Sequence, residues 1–393
     1  MARRTDKRTR RAEVKAKRRE GDATGIVSSL PPLAEVPSYA ELTPTDEQLR
    51  AYEAYVSQAR ATRDIDHDIS LGCVCRLDRG FPAIITEHSV FRAEFAARLT
   101  KGDFSRIAVG DWVCVAEPKG HDMGVVEHIL PRSSDIARWK GGSRGEKQTL
   151  AANVDVVIVV CALEEWRLSA GRIARSVVVA RDCGADATVV LTKADEAGPE
   201  VVRQAVGLIR DVFGNGIDVA VTAAAGARVT GELERAADEA GALFGIEAVR
   251  HMVPSGTVAI MLGPSGVGKS TLLNALLGRD ALETGAVRAQ DGAGRHTTVA
   301  RRMVSIPGGG IIVDEPGLRT LQLVGHERGM ALVFGEITDA AAHCRFRDCT
   351  HTHEPGCAVR ERFSVDSERL RTYLSLAREM RESAVTLDPD VVL

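Results

Sequence analysis

Three groups of residues have the types and spacing to do chemistry. Gly263-Pro264-Ser265-Gly266-Val267-Gly268-Lys269-Ser270 sets two glycines five positions apart ahead of Lys and Ser. Glycines let successive backbone N–H groups turn inward on phosphate oxygens, and a helix starting there adds positive potential. In such a loop Lys269 would reach the β- and γ-phosphates, and Ser270, followed by Thr271, would ligate Mg²⁺. The second group is Thr192-Lys193-Ala194-Asp195. Its Asp195 carboxylate can accept from N1–H and the 2-amino group of guanine while the Lys193 stem covers the base; adenine offers neither donor. Thr222-Ala223-Ala224 would present small-residue backbone to the guanine oxygen. The third group, Cys344, Cys349, His351 and Cys357, gathers three thiolates and an imidazole within fourteen residues, a closed Cys₃His set for one structural zinc ion, with His343 and His353 as rivals for the imidazole position.

Two further stretches complete a phosphate-sensing apparatus. Gly294-Arg295-His296-Thr297-Thr298 lies in a polar loop suited to a first switch, where Thr297 or Thr298 could meet Mg²⁺ and the γ-phosphate. Asp314-Glu315-Pro316-Gly317 ends an apolar run. Its Asp314 would hold the Mg²⁺ water shell, and the Gly317 N–H would sense the γ-phosphate. Leu318 stands where a water-orienting Gln is usual, so His296 is the nearest candidate to position the attacking water.

The elements that must position these groups follow from hydrophobic pattern. Val154–Val160, Ala187–Leu191, Ile217–Val221, Thr257–Leu262 and Gly310–Val313 are short apolar, β-branched runs, the pattern of strands covered on both faces. Gly171–Arg181 reads as a crossover helix, and Lys269–Leu277 as a helix closed by Gly278. Upstream, five alternating runs between Ser70 and Ile129 suggest a small closed barrel of the oligonucleotide-binding (OB) type, although an SH3-like barrel reads similarly. Arg76, Arg79, Arg98, Lys101, Arg106 and Lys119 would bring RNA contacts to it. Phe363–Glu382 reads as an amphipathic helix packed on the cysteine cluster.

Composition bounds the rest. The 393 residues carry a net charge of −3, yet ten Lys/Arg stand against three acids in the first twenty, a local +7. Such a block is either a solvated tail or an arm that folds on RNA. No apolar run reaches the roughly 18 residues of a membrane span, and no h-region follows the basic start. Cys73, Cys75, Cys114, Cys161 and Cys183 sit in apolar surroundings, a reducing-compartment pattern with one metal cluster. The expected organisation is a basic, disordered extension and linker over 1–66, with Asp46–Arg60 a candidate short helix, then a barrel over 67–135 and a flexible basic linker over 136–150. A P-loop GTPase domain over 151–325 and a zinc-binding helical domain over 326–393 complete it. The base-reading motifs precede the phosphate loop, so the Ras-like α/β domain is circularly permuted.

On these residues the chain resembles the ribosome small-subunit-dependent GTPases of the RsgA (YjeQ) type. The resemblance covers about Gly72 to Glu379 and includes Gly110-Asp111, Pro131-Arg132, Gln148 with Ala152-Asn153-Val154-Asp155, the Gly-Arg-His-Thr-Thr stretch and the Cys-x-His-x-x-Glu-Pro-Gly-Cys ending at Cys357. Thr192 stands where that family has Asn, Thr222 where it has Ser, and Val299 where it has a third Thr. The resemblance implies a cytoplasmic, monomeric GTP phosphohydrolase acting on the maturing 30S subunit and its 16S rRNA, with Mg²⁺, GTP turnover stimulated by that subunit and no membrane partner. In that family the histidine matching His296 is taken as the water-positioning residue. The alternatives are a nucleotide-gated RNA-binding protein with little hydrolysis of its own and a permuted GTPase acting on the large subunit.

Overall fold

The computed structural model describes residues 36–62, 68–77, 81–96, 99, 107–117, 123–139, 147–224, 230–279, 301–315, 323 and 325–387. The basic arm, the whole stretch expected to form a first switch, Gly294 to Thr298, and Gly317 lie outside these residues, as do Arg79, Arg98, Lys101, Arg106 and Lys119 of the barrel.

Five strands build the barrel: β1 (Ile69–Leu77), β2 (Pro82–Thr86), β3 (Val90–Phe95), β4 (Trp112–Ala116) and β5 (Gly124–Ile129). β1 pairs with both β2 and β4, β2 with β3, β3 in parallel with β5, and β5 with β4, so the ladder returns to its first strand. A simple meander would join only neighbours; the parallel β3–β5 contact is the Greek-key closure of an OB-type barrel. Val74, Ile84, Ala93, Val113, Val115 and Val126 fill its interior, each fully buried. The helix α1 (Asp46–Thr62) then lies on the outside of this barrel. Tyr52 donates its hydroxyl to the Ile69 carbonyl at 2.7 Å, and the Tyr55 ring stacks on His128 with centroids 4.9 Å apart.

Residues 136–150 are not a plain linker. β6 (Asp135–Trp139) and β7 (Lys147–Ala152) pair as an antiparallel two-stranded sheet, anchored by the fully buried Ile136 and Leu150. Their Lys/Arg/Gly composition conceals a hairpin that needs only these apolar anchors at its base. At that base Asp111, completely buried, accepts from Arg132 Nε at 2.7 Å and from its Nη2 at 2.8 Å, while Arg132 Nη1 donates to Thr149 Oγ1 at 2.8 Å. Asn153, in a left-handed conformation (φ 53°), donates to the Gly110 carbonyl at 2.8 Å. Its Oδ1 accepts from Gln48 of α1 and from the Ser133 N–H, both at 2.9 Å. Gly110 has φ 93°, and a Cβ there would fall 2.0 Å from the Ala152 carbonyl oxygen, so no other residue lets barrel and hairpin approach so closely. Truncating Arg132 to Ala would strand the Asp111 carboxylate in the interior. We expect a loss of about 3–5 kcal/mol in the urea unfolding of the barrel. Adding Asp111→Ala should cost less than the sum of the single changes.

The α/β domain is a twisted sheet of β8 (Val156–Ala162), β9 (Asp186–Thr192), β10 (Asp218–Val221), β11 (Leu243–Phe244), β12 (Val258–Leu262), β13 (Arg301–Ser305) and β14 (Ile311–Asp314), in the order β11-β10-β9-β8-β12-β14-β13. All ladders are parallel except β13–β14. The chain enters at the centre in β8, runs outward to β11, returns beside the centre at β12 and finishes on the other side, which is the permutation expected from motif order. Alternation along β8 sends Val157 and Val159 to one core and Ile158 and Val160 to the other. The helices are α2 (Trp166–Asp182), α3 (Ala194–Ala197), α4 (Pro199–Phe213), α5 (Thr230–Glu239), α6 (Ile246–His251) and α7 (Lys269–Leu277). α2, α4 and α5 bury their apolar faces in the first core, α6 and α7 in the second.

β13 does more than edge this sheet, because it also pairs with barrel strand β1 through Arg76↔Arg302 and Leu77↔Arg301. Barrel and α/β domain therefore share one continuous ladder. The stretch before α1, expected to be linker, straps the same junction: Tyr39 packs edge-on against Trp112 with centroids 5.9 Å apart, and Glu41 accepts from the Ser305 hydroxyl at the end of β13.

After β14 come α8 (Glu327–Val333), α9 (Gly335–Ala341), α10 (Ala358–Arg362) and α11 (Glu368–Leu387). α11 starts five residues later than its amphipathic pattern suggests, because Ser364–Ser367 close a turn first, with Ser367 N–H on the Ser364 carbonyl at 3.0 Å. This domain packs on α2 and α4. Asp182 at the end of α2 accepts from the Gly329 N–H and meets His326 Nδ1, both at 2.7 Å. Arg175 pairs with Glu379 at 2.6 Å, and the Arg369 guanidinium lies 4.9 Å from the Phe334 ring centre while donating to the Val333 carbonyl at 2.7 Å.

Candidate functional site

The carboxyl ends of β9, β10 and β12 meet in one crease, the position where open α/β sheets bind ligands. Residues 263–268 leave β12 as a loop with left-handed Gly266 (φ 85°) and Gly268 (φ 95°), and α7 begins directly at Lys269. Lys269 Nζ donates to the carbonyls of Gly263 at 2.6 Å and Pro264 at 2.8 Å, so its ammonium already sits at the loop mouth. Ser270 is half-buried in the first turn of α7, and Thr271 is exposed beside it.

Thr192 ends β9 and donates its hydroxyl to the Val267 carbonyl at 2.6 Å. A Thr can therefore tie the end of β9 to the glycine-rich loop after β12 with one short hydroxyl bond, which braces the crease without an Asn at this position. Lys193 is left-handed (φ 59°), and its Nζ stands 3.4 Å from Glu164. Asp195 accepts from the Ala224 N–H at 2.9 Å, which orients its carboxylate and joins the segments that follow β9 and β10. The Thr222 N–H donates to the Leu191 carbonyl at 2.7 Å, and the Ala194 N–H to the Thr222 carbonyl at 3.1 Å. The fold brings together Thr192–Asp195, Thr222–Ala224 and Gly263–Ser270, the three segments that the sequence spacing singles out.

Asp314 ends β14, adjacent to β12, with its carboxylate 3.6 Å from Arg302 across the β13–β14 ladder. Burial raises its carboxyl above the ordinary value, and the Arg302 charge opposes that rise. Arg301 pairs likewise with Glu315. These two arginines were missed in the sequence because they open a strand that looks polar; the signal was the Arg-Arg/Asp-Glu complementarity of adjacent runs.

The cysteine cluster is assembled. Its four ligand atoms lie within 4.8 Å of one another, with His351 Nδ1 3.5 Å from Cys344 Sγ and 3.4 Å from Cys357 Sγ, and 3.9 Å between those sulfurs. Zinc bonds of about 2.3 Å to sulfur and 2.0 Å to nitrogen in a tetrahedron give such separations. His343 and His353 are exposed and turn their Nδ1 atoms to the Asp339 carbonyl and the Thr352 hydroxyl instead, which leaves His351 as the imidazole ligand. The loop is preformed by Glu354: hydrogen bonds, first from the Thr350 hydroxyl, hold its carboxyl well below the usual carboxylate range. No other group of this kind occurs among the described residues.

A phosphate loop at the centre of a sheet, base-reading strand ends read before it and a barrel and Cys/His helical domain on either side define a circularly permuted P-loop GTPase. The RsgA GTPase family model matches residues 129–324. Curated relatives include the small ribosomal subunit biogenesis GTPase RsgA of Streptomyces avermitilis, 39% identical over 320 residues covering 81% of each chain. RsgA 2 of Vibrio vulnificus is 36% identical, over 72% of this chain and 74% of that one. Two solved structures share the fold: YjeQ from Thermotoga maritima, TM-score 0.57, 23% identity, covering 80% of this chain and 99% of that one, and YloQ, described as a circularly permuted GTPase, TM-score 0.53, 20% identity, covering 82% and 98%. The chain belongs to the RsgA GTPase family.

Proposed function

We propose that this chain hydrolyses GTP to GDP and phosphate on the small (30S) ribosomal subunit during its late maturation, with turnover stimulated by the subunit and coupled to release. The observation that carries the reading is the convergence of Thr192–Asp195, Thr222–Ala224 and Gly263–Ser270, braced by the Thr192–Val267 bond. The names of the relatives support the small subunit as partner. We place the contact with 16S rRNA, and the protein as a cytoplasmic monomer; among the described residues no helix is long and apolar enough to cross a membrane.

In this reading the backbone N–H groups of the loop hold the phosphates, and Lys269 exchanges two carbonyls for phosphate oxygens. Ser270, Asp314 and either Thr297 or Thr298 would hold Mg²⁺, which neutralises phosphate charge when bound. His296 orients the attacking water, and the Gly317 N–H reports the γ-phosphate. The chain beyond Gly317 runs within ten residues to His326, held on Asp182, so loss of the γ-phosphate is felt where the C-terminal domain is fastened.

Turnover should be measured with the full chain alone, with purified small subunits and with large ones. Small subunits alone should stimulate; no stimulation, or equal stimulation by large subunits, would sink the reading in favour of a nucleotide-gated binder or a large-subunit factor. His296→Ala should bind GTP normally and lose stimulated turnover by roughly 10²–10⁴-fold, as for loss of a proton-transferring group. Retained turnover would remove His296 from the mechanism.

A further inference from the structure

The loop between the first two metal-ligating cysteines carries Arg345, Phe346 and Arg347. Phe346 is 41% exposed and is the one aromatic among the large exposed hydrophobics of the described residues. The Arg345 guanidinium sits 5.5 Å from its ring centre. Arg345, Arg347 and, on α10, Arg360 and Arg362 are exposed, and among the described residues none of the four holds a carboxylate. Elsewhere Arg175, Arg181, Arg203, Arg369 and Arg378 each do. Of the nearby acids, Glu354 is taken up by Thr350, Thr352 and His353. That leaves Asp348 and Glu361 against four arginines.

An exposed ring on a loop pinned at Cys344 and Cys349 is ordered before any partner arrives, so binding costs little entropy. An exposed ring with one guanidinium over it, on a short segment that carries three more exposed arginines, suits a polyanion with π-faces better than a neutral apolar surface. We propose that Phe346 is a stacking platform for one unpaired RNA base, with Arg345 and Arg347 beside it and Arg360 and Arg362 of the same metal-bound unit taking backbone phosphates. Placing that RNA in the small subunit rests on the function proposed above; the platform itself rests on the loop.

The test uses the zinc-loaded full chain and its Phe346→Ala, Phe346→Trp and Arg347→Ala variants. Binding is measured to small subunits and to a fluorescent single-stranded oligoribonucleotide, with zinc content and subunit-free GTP turnover as controls. Phe346→Ala should weaken both binding reactions by about tenfold, the size of one lost base–aromatic stack. Phe346→Trp should restore them, and Arg347→Ala should lower the salt slope by about one. Unchanged oligonucleotide binding in Phe346→Ala overturns the platform, and a loss confined to subunits assigns the contact to a ribosomal protein instead, which also overturns it. If the oligonucleotide responds to Phe346 but the wild type ignores small subunits, the platform stands and the proposed function fails.

Discussion

Asp195→Asn should abolish the preference for guanine nucleotides, by a factor on the order of 10⁴ in the ratio of GTP to ATP affinity. The reason is local. The Ala224 N–H fixes one carboxylate oxygen at 2.9 Å, so the group is aimed before the base arrives, and guanine answers it with two donors, N1–H and the 2-amino group. An amide in the same place offers one acceptor and one donor, and the donor faces the 2-amino group. Xanthine carries N1–H beside a 2-oxo acceptor and matches the amide, so the variant should gain affinity for xanthosine triphosphate. Titration of fluorescent GTP, ATP and XTP analogues measures all three; a variant that still prefers GTP would show that Asp195 does not read the base. The fold should survive, because an Asn Oδ1 can still accept from Ala224.

Removing the metal should have the largest effect on stability. Cys349→Ser, or chelation of the wild type, should bring bound zinc from one per chain to near zero and unfold residues 343–363, withdrawing a contribution of about 10–16 kcal/mol by comparison with zinc-finger peptides. Little else can hold that stretch. Its buried residues are Cys349, His351, Cys357 and Val359, three of them ligands, so the metal replaces a core. The nucleotide crease lies in a separate sheet, so GTP binding should persist while stimulated turnover falls. Zinc release by a colorimetric chelator and hydrogen exchange over 343–363 read the two halves of the prediction. A Cys349→Ser variant that keeps its fold and protection without zinc would show that the cluster is not structural.

Apart from the two-residue β11, the parallel strands and α7 were legible in the sequence because strands covered on both faces leave unbroken apolar runs, as in Val156–Ala162. The glycine-rich loop after β12 and the ends of β9 and β10 stood out in the sequence because the chemistry proposed for them tolerates few residue types. β13 was not, since Arg301 and Arg302 look like loop charge until Asp314 and Glu315 are seen across the ladder. The β6–β7 hairpin hid behind Lys, Arg and Gly, and the strap at Tyr39–Glu41 behind prolines. Its partners, Trp112 and Ser305, are far away in sequence, and local pattern carries no information about them. The weld of Asp111, Arg132 and Asn153 belongs with these: each residue alone looks like a turn, and only the fold shows that one buried ion pair and one left-handed Asn join barrel, hairpin and helix.

The Glu41–Ser305 contact spans 264 residues of chain. During synthesis the barrel can close on itself early, since β1 to β5 are contiguous, but the end of β1 and the strap must wait for β13 to be made. At roughly 5–20 residues per second that wait lasts about ten to fifty seconds. Through it the edge of β1 at Arg76 and Leu77 stays unpaired, with a charged residue at the open position. A strand edge that carries Arg resists pairing with a stranger. Arg76 thereby doubles as a gatekeeper of the nascent chain, because the ladder that marries its first domain to its second cannot form until β13 has been made.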